Sequence, residues 1–151
     1  MVRLPQSRGP VGVGEALPRL GRTEDIVQRY YEAFRRGDID GVLEGWHPDG
    51  LLIPLGRRRQ YRGHRELRQY LETDIEEAPE FDFRIYAILD QGNLALTFGR
   101  YSVQEGEAVI DKGVFCISEV VDQKLVSWEA FENIGEALRT FRQRLSASPS
   151  D

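Results

Sequence analysis

Between residues 23 and 63 the chain reads TEDIVQRYYEAFRRGDIDGVLEGWHPDGLLIPLGRRRQYRG, and this stretch restricts the fold more than any other. Ile26, Val27, Tyr30, Tyr31 and Phe34 recur at helical spacing and give one wide apolar face. Thr23 is placed to cap that helix. Glu24 and Asp25 follow in the first turn and Arg35 and Arg36 in the last, the charge order a helix dipole favours. Gly37 suits the left-handed residue that ends a helix. Asp38 caps a second, short helix, in which Ile39, Val42, Leu43 and Trp46 follow an i, i+3, i+4, i+7 pattern. Pro48-Asp49-Gly50 reads as a turn, residues 51–55 as a short apolar strand, and Arg57, Arg58 and Arg59 as an exposed loop.

Gly63 and His64 lead into a third helix with the apolar stripe Leu67, Tyr70, Leu71 and Ile75. Asp74, Glu76 and Glu77 at its end oppose the dipole, which predicts fraying or a basic neighbour. From Phe81 the period changes to two: Phe81, Phe83, Ile85, Ala87 and Leu89 alternate with Asp82, Arg84, Tyr86 and Asp90. Turns at Gln91-Gly92-Asn93, Glu105-Gly106 and Asp122-Gln123 then separate strands over 94–103, 108–120 and 125–133. Four sequential strands with short turns make an antiparallel meander. A last helix over 136–145 buries Ala137, Leu138 and Phe141. Helices first and a curved meander second is an α+β layer architecture, and a cavity opens wherever the helices fail to fill the sheet's concavity. The 151 residues suit one core, a domain over 23–145. Residues 1–22, broken by glycines and prolines and carrying Arg3, Arg8, Arg19 and Arg22, read as a disordered arm, and 146–151 as a frayed tail.

Composition excludes several classes. A net charge of -5 argues against nucleic acid as a partner, because a phosphate-binding surface shows a basic excess. Cys116 is the single cysteine, so there is no intramolecular disulfide and no cysteine-based metal cage, and a reduced cytoplasmic setting is expected. No apolar run reaches the roughly 18 residues of a membrane helix. The glycines and prolines of the first 21 residues leave no signal peptide. His47 and His64 sit far apart at turn and helix-start positions, where surface or capping roles are expected. No metal site or cofactor is expected.

The helix VQRYYEAFRRGDIDGVLEGW, the HPDG turn before a short strand, the segment YRGHRELRQYL and the closing KLVSWEAFENIGEALRTF together resemble the NTF2-like superfamily. Within it, the chain is most similar to the SnoaL-like and ketosteroid-isomerase-like proteins. The resemblance covers residues 23–145. It implies a cystatin-like cone, a curved antiparallel sheet wrapped around N-terminal helices with a central apolar pocket. It also implies a homodimer through the outer sheet face. Function does not come with the fold. Tyr30 sits at the place of the isomerases' catalytic tyrosine. The place of their general-base aspartate holds Ile53 or Pro54, and that of their second acid falls near Phe115. The Arg-x-Asp of limonene-epoxide-hydrolase-like proteins meets Arg100-Tyr101-Ser102 here, and their last-strand aspartate meets Ala130. A His/Asp pair like that of the scytalone-dehydratase-like proteins has no counterpart.

The family's strand parity implies that Phe98, Arg100 and Ser102, then Asp111, Gly113, Phe115 and Ile117, then Val126, Trp128, Ala130 and Glu132 face the pocket, with Cys116 on the opposite face. A one-residue bulge would reverse the assignment. On that parity Arg100, Asp111 and Glu132 project toward one cavity rimmed by Tyr30, Trp46 and Trp128. A carboxylate in an apolar pocket can move a proton near neutral pH, and an arginine or tyrosine can stabilise developing negative charge. Asp111, Glu132, Arg100 and Tyr30 are therefore the catalytic candidates. Trp46, Phe98, Phe115, Trp128 and Leu71 are the ligand-binding ones. The competing structural reading is an arginine–carboxylate pair between neighbouring strands and a tyrosine packed in the core. Two functions are expected of such a chain. One is binding of a small apolar or aromatic organic molecule in the cone, with cofactor-free acid–base chemistry of isomerase, cyclase or hydrolase type. The other is a non-catalytic dimeric binding or scaffold module.

Overall fold

The computed structural model describes residues 22–56, 59–74 and 84–147. Helix α1 (Thr23–Arg36) begins without a side-chain cap from its own chain neighbour, Arg22. Thr23 is the first helical residue rather than the cap, and its hydroxyl donates to the Gly92 carbonyl at 2.6 Å. The orphan N–H of Glu24 instead donates to the Asp90 carboxylate at 3.0 Å, so a carboxylate 66 residues away meets the helix dipole. At the other end Gly37 takes φ 74° and returns its N–H to the last turn, as expected of a left-handed cap. The Asp38 carboxylate accepts the Gly41 N–H at 3.0 Å and starts α2 (Ile39–Glu44).

The second helix is shorter than its apolar spacing predicts. It stops at Glu44, and Trp46 opens strand β1 (Trp46–Ile53) with 1 % of its surface exposed. The expected turn at Pro48-Asp49-Gly50 is part of this strand, as an irregularity in its pairing between Trp46 and Leu51. His47 serves there as a local cap, its Nδ1 accepting the Asp49 N–H at 2.9 Å. Gly50 permits the close approach, since a Cβ at this position would lie 2.7 Å from the Trp46 ring and 3.1 Å from the Leu125 carbonyl oxygen. Strand β2 (Tyr61–Arg62) was not foreseen within the loop, and it leads directly into α3 (Gly63–Glu72). His64 Nε2 is 2.8 Å from the Trp46 carbonyl oxygen and ties α3 to the start of β1. Ile75, Glu76, Glu77, Phe81 and Phe83, to which the sequence assigns helix and strand, lie outside the described residues.

Strands β3 (Arg84–Gln91), β4 (Leu94–Glu105), β5 (Ala108–Val121) and β6 (Lys124–Phe131) form the antiparallel meander the period-two pattern predicts. Asp122 and Gln123 turn β5 into β6 with φ of 53° and 67°, the two left-handed residues of a tight hairpin. The sheet order is β2-β1-β6-β5-β4-β3. Because β1 runs parallel to β6, the sheet is mixed rather than wholly antiparallel. Helix α4 (Ile134–Ala147) is capped by Asn133, whose side-chain oxygen accepts the Glu136 N–H at 2.9 Å. No described helix is long and apolar enough to cross a membrane.

Both faces of the sheet are covered. Helices α1, α2 and α3 lie on one side over a core that includes Ala95, Tyr101, Val114, Cys116, Trp128 and Ala130. Helix α4 lies on the other over Leu94, Leu96, Ile117 and Phe131, with Phe98 and Phe115 at its margin. Arg144 holds α4 in place through Glu119 at 2.9 Å and the Ser127 hydroxyl at 3.1 Å. Facing the three helices, Ala95, Ser118 and Trp128 lie in one row across β4, β5 and β6, and Thr97, Cys116 and Ala130 in the next. These mostly small side chains leave a shallow floor for the rings of α1. The Trp128 indole N–H donates to the Tyr31 phenol oxygen at 2.9 Å, a buried bond between α1 and β6. Burial pushes the Tyr31 pKa well up, the neighbouring Cys116 adds to the effect, and the nearby Thr97 hydroxyl and the hydrogen bond from Trp128 oppose it.

Two substitutions test this packing. Gly50→Ala forces Trp46 or the β6 backbone to move, and overpacking of this kind costs about 1–3 kcal/mol, which calorimetry will show as a midpoint lowered by roughly 3–10 °C. Tyr31→Phe leaves the Trp128 N–H buried without an acceptor, at a cost of about 1–3 kcal/mol. Because the folded protein holds the Tyr31 proton more tightly than the unfolded chain, native stability is intact below about pH 10 and falls as pH rises beyond it. Urea midpoints between about pH 9 and 11 will therefore fall less steeply in Tyr31→Phe than in the native protein. Equal slopes would rule Tyr31 out as the source of alkaline sensitivity.

Candidate functional site

Of the six tyrosines in the chain, five are buried on the helix-facing side of the sheet: Tyr30, Tyr31, Tyr61, Tyr70 and Tyr101. Both tryptophans lie there too. They fall into two groups. Tyr30 contacts Tyr31, Trp46 and Trp128 with ring centroids 4.9, 5.8 and 6.2 Å apart, the last two edge-on, an arrangement aromatic quadrupoles favour. This end is closed, with Trp46, Thr97, Cys116, Ser118 and Trp128 all 2 % exposed or less. Within it the Trp46 indole N–H and the Ser118 hydroxyl have no hydrogen-bond partner among the described residues.

The second group lies toward the end of α3. Tyr61 and Tyr70 stack with centroids 4.9 Å apart, and Arg59 lies over the Tyr61 ring at 4.6 Å. The Tyr61 hydroxyl donates to the Asp74 carboxylate at 2.9 Å, and Arg59 approaches the same carboxylate at 3.7 Å. The basic neighbour expected for the acidic end of α3 is thus Arg59. Tyr101 closes the core from β4, 3 % exposed. No charged side chain is buried among the described residues. Nor do any three described His, Cys, Asp or Glu side chains gather in a metal-holding group.

The strand parity implied by the resemblance holds on β6 and is reversed on β4 and β5. Trp128 and Ala130 face the helices as expected. Phe98, Phe115 and Ile117 lie on the α4 side instead, where Phe98 and Phe115 meet edge-on at 5.7 Å. Arg100, Ser102 and Asp111 share that outer side with them and are exposed. The reason lies in a register shift between β5 and β6 at Glu119/Val120, combined with apolar residues on both faces, because α4 needs its own core. Cys116, expected on the opposite side from the pocket, faces the helices and is fully buried.

The structure therefore keeps Arg100 and Asp111 on one face but directs both to solvent. Asp111, its side chain 51 % exposed, accepts from the Ser102 hydroxyl at 2.8 Å and pairs with Arg84, not Arg100, at 3.6 Å. Glu132 follows the end of β6 and is exposed. Only Tyr30 of the four catalytic candidates stands among the buried aromatics. Of the ligand-binding candidates, Trp46 and Trp128 belong to that cluster, and Leu71 packs half-buried at its margin. Tyr61 and Tyr101 were not singled out from the sequence, and Tyr70 and Asp74 only as part of the stripe and the end of α3. The signal that could have found them is the spacing of the tyrosines against the helix and strand periods, since each falls on a helix-facing position.

A family model described as a SnoaL-like domain matches residues 27–128, more than half of the chain. No curated protein sequence matches it. Among solved structures, TerC co-crystallised with polyporic acid is 19% identical with a TM-score of 0.60, over 80% of this chain and 98% of that one. An NTF2-like protein from Burkholderia thailandensis E264 is 22% identical with a TM-score of 0.62, over 78% of this chain and 98% of that one. An M. tuberculosis LEH-like epoxide hydrolase is 19% identical with a TM-score of 0.55, over 82% of this chain and 91% of that one. At such identities these likenesses speak for the fold. The mixed sheet, the helices over its aromatic side and the match across residues 27–128 agree, and the chain belongs to the SnoaL-like domain family, with the fold of NTF2-like proteins.

Proposed function

We propose that this domain binds a small, uncharged, ring-containing organic molecule on the helix-facing side of its sheet, at the end marked by Tyr61 and Tyr70, with Tyr101 on the same side. The observation that carries this reading is the chemistry of that side: five tyrosines, two tryptophans and no buried charge among the described residues. Tyrosine rings offer a face for stacking, and their hydroxyls can hydrogen-bond a carbonyl or hydroxyl on a ligand. An ionised ligand would lose its hydration there without gaining a counter-charge. The closed packing around Trp46 and Trp128 favours a ligand toward the other end. The likeness to a protein crystallised with polyporic acid supports an organic ligand.

In this reading the domain recognises rather than transforms its ligand. Asp111 and Glu132, the carboxylates suited by sequence to move a proton, stand in solvent away from the aromatic side. Asp74, at the rim, already accepts the Tyr61 hydroxyl and lies beside Arg59. Tyr30 contributes ring area to the wall. The outer face, with Arg100, Ser102, Asp111 and the 66 % exposed Val109, is the surface a second copy would cover in a homodimer.

Thermal-shift and tryptophan-fluorescence titrations with a cyclic ketone, an aryl epoxide, a naphthol and benzoate test the proposal. The neutral ring compounds will raise the midpoint and alter tryptophan emission more than benzoate does. Tyr101→Phe will weaken the best of them about fivefold, the worth of one hydrogen bond of about 1 kcal/mol. Asp111→Asn and Glu132→Gln will leave binding unchanged. Tighter binding of benzoate than of any neutral compound, or turnover that Asp111→Asn abolishes, would overturn it.

A further inference from the structure

A cavity of about 250 Å³ lies outside the tyrosine-lined end, between α1, α2 and the turn joining β5 to β6. Its apolar lining comes from Ile26, Tyr30 and Val42, each 6 % exposed or less. Its polar lining comes from Arg29 on α1, Glu44 on α2 and Gln123 in the turn. Two glycines one helical turn apart, Gly41 and Gly45, leave a bare strip along the α2 wall. At Gly41 a Cβ would press on the Asp38 carboxylate that caps the helix. At Gly45 it would meet only the Val42 carbonyl oxygen at 3.8 Å, so space rather than crowding adjoins that position.

The charged side chains around this cavity are exposed and unpaired among the described residues. Arg29 and Glu44 line the same space, yet neither forms an ion pair with the other or with any described residue. Lys124 is close by, but its ammonium donates to the Glu44 carbonyl oxygen at 2.6 Å. Glu44 also stands in the last turn of α2, which has no basic residue of its own and takes its cation at the backbone from Lys124. A guanidinium and a carboxylate on facing helices, separated by an apolar hollow, match a ligand that carries both opposite charges and a short apolar group. The volume lies below the roughly 300–1,000 Å³ of drug-sized sites, which suits a molecule of single amino-acid size.

We propose that this cavity is a second binding site, specific for a free α-amino acid with an apolar side chain. The α-carboxylate sits on Arg29, in the planar two-point geometry guanidinium offers. The α-ammonium sits on the Glu44 carboxylate. The side chain packs on Ile26, Tyr30 and Val42, and the Gln123 carboxamide closes the opening. The site shares none of its lining residues with the Tyr61, Tyr70 and Tyr101 set assigned to the other ligand.

The test is titration of the ¹⁵N-labelled full chain with L-phenylalanine, N-acetyl-L-phenylalanine, which lacks the ammonium, and phenethylamine, which lacks the carboxylate. Phenylalanine will shift the amides of Arg29, Gly41, Gly45 and Gln123 and saturate at millimolar concentration. Each analogue will bind about tenfold more weakly or worse, the worth of one lost charge contact of about 1.4 kcal/mol. Gly45→Leu will fill the hollow and abolish the shifts. Arg29→Gln, a change on the exposed side of α1, will weaken phenylalanine to the level of phenethylamine and leave phenethylamine itself unaffected. This second variant keeps the test valid if Gly45→Leu lowers stability. Absence of these shifts up to about 50 mM phenylalanine, equal affinity for N-acetylphenylalanine, or shifts confined to Tyr61, Tyr70 and Tyr101 would overturn the proposal. Its failure leaves the neutral-ligand reading intact, because the two sites report through different amides.

Discussion

The hydrogen bond from the Trp128 indole to the Tyr31 phenol joins residues 97 positions apart, and the layering of the domain depends on it. It fixes how far α1 stands above the sheet and how it is rotated about its axis. With Tyr31 turned toward β6, its neighbour Tyr30 is turned toward Trp46 and α2, and Ile26 and Val27 are carried into the core. Small residues beneath, Ala95, Thr97, Cys116, Ser118 and Ala130, are the complement of that choice. Larger ones would lift the helix and separate donor from acceptor. The bond is neutral on both sides, so it is held in an apolar layer without the desolvation cost an ion pair would carry there.

Charge is distributed accordingly. Ion pairs ring the described surface, from Arg84 with Asp111 at one strand end to Arg144 with Glu119 beneath α4, and none enters the layer between the helices and the sheet. A layer built this way distinguishes ligands by shape and by hydrogen-bonding groups. The α1–α2 cavity is different in kind, because its lining places charge at the edge of an apolar hollow.

The fold was legible because its signals are local. Gly37 and Asp38 mark a helix end and a helix start by their own backbone and side-chain chemistry, and both do so in the structure. Asp122-Gln123 likewise turns where the alternating pattern breaks. The misreadings came from residues whose placement is decided at a distance. Trp46 continues a helical spacing, but Gly45 ends α2 and pairing with Leu125 draws Trp46 into β1. Thr23 has the side chain of a cap, but Asp90 from another element takes that task. The site was the least legible part for the same reason. Period two fixes that Arg100 and Asp111 alternate with their neighbours and leaves open which side faces α1. That side was decided by the register of β5 against β6 and by the apolar face that α4 requires.

The contacts at the start of α1 set an order of events. Among the described residues, the Glu24 N–H and the Thr23 hydroxyl are satisfied by Asp90 and Gly92, at the tip of the β3–β4 hairpin. Before that hairpin exists, the leading turn of α1 has no side-chain cap from its own segment and is free to unwind. Helix and hairpin therefore become stable in one step, across a chain separation of nearly seventy residues. Closing a loop that long carries an entropic cost that the local turns of the chain do not.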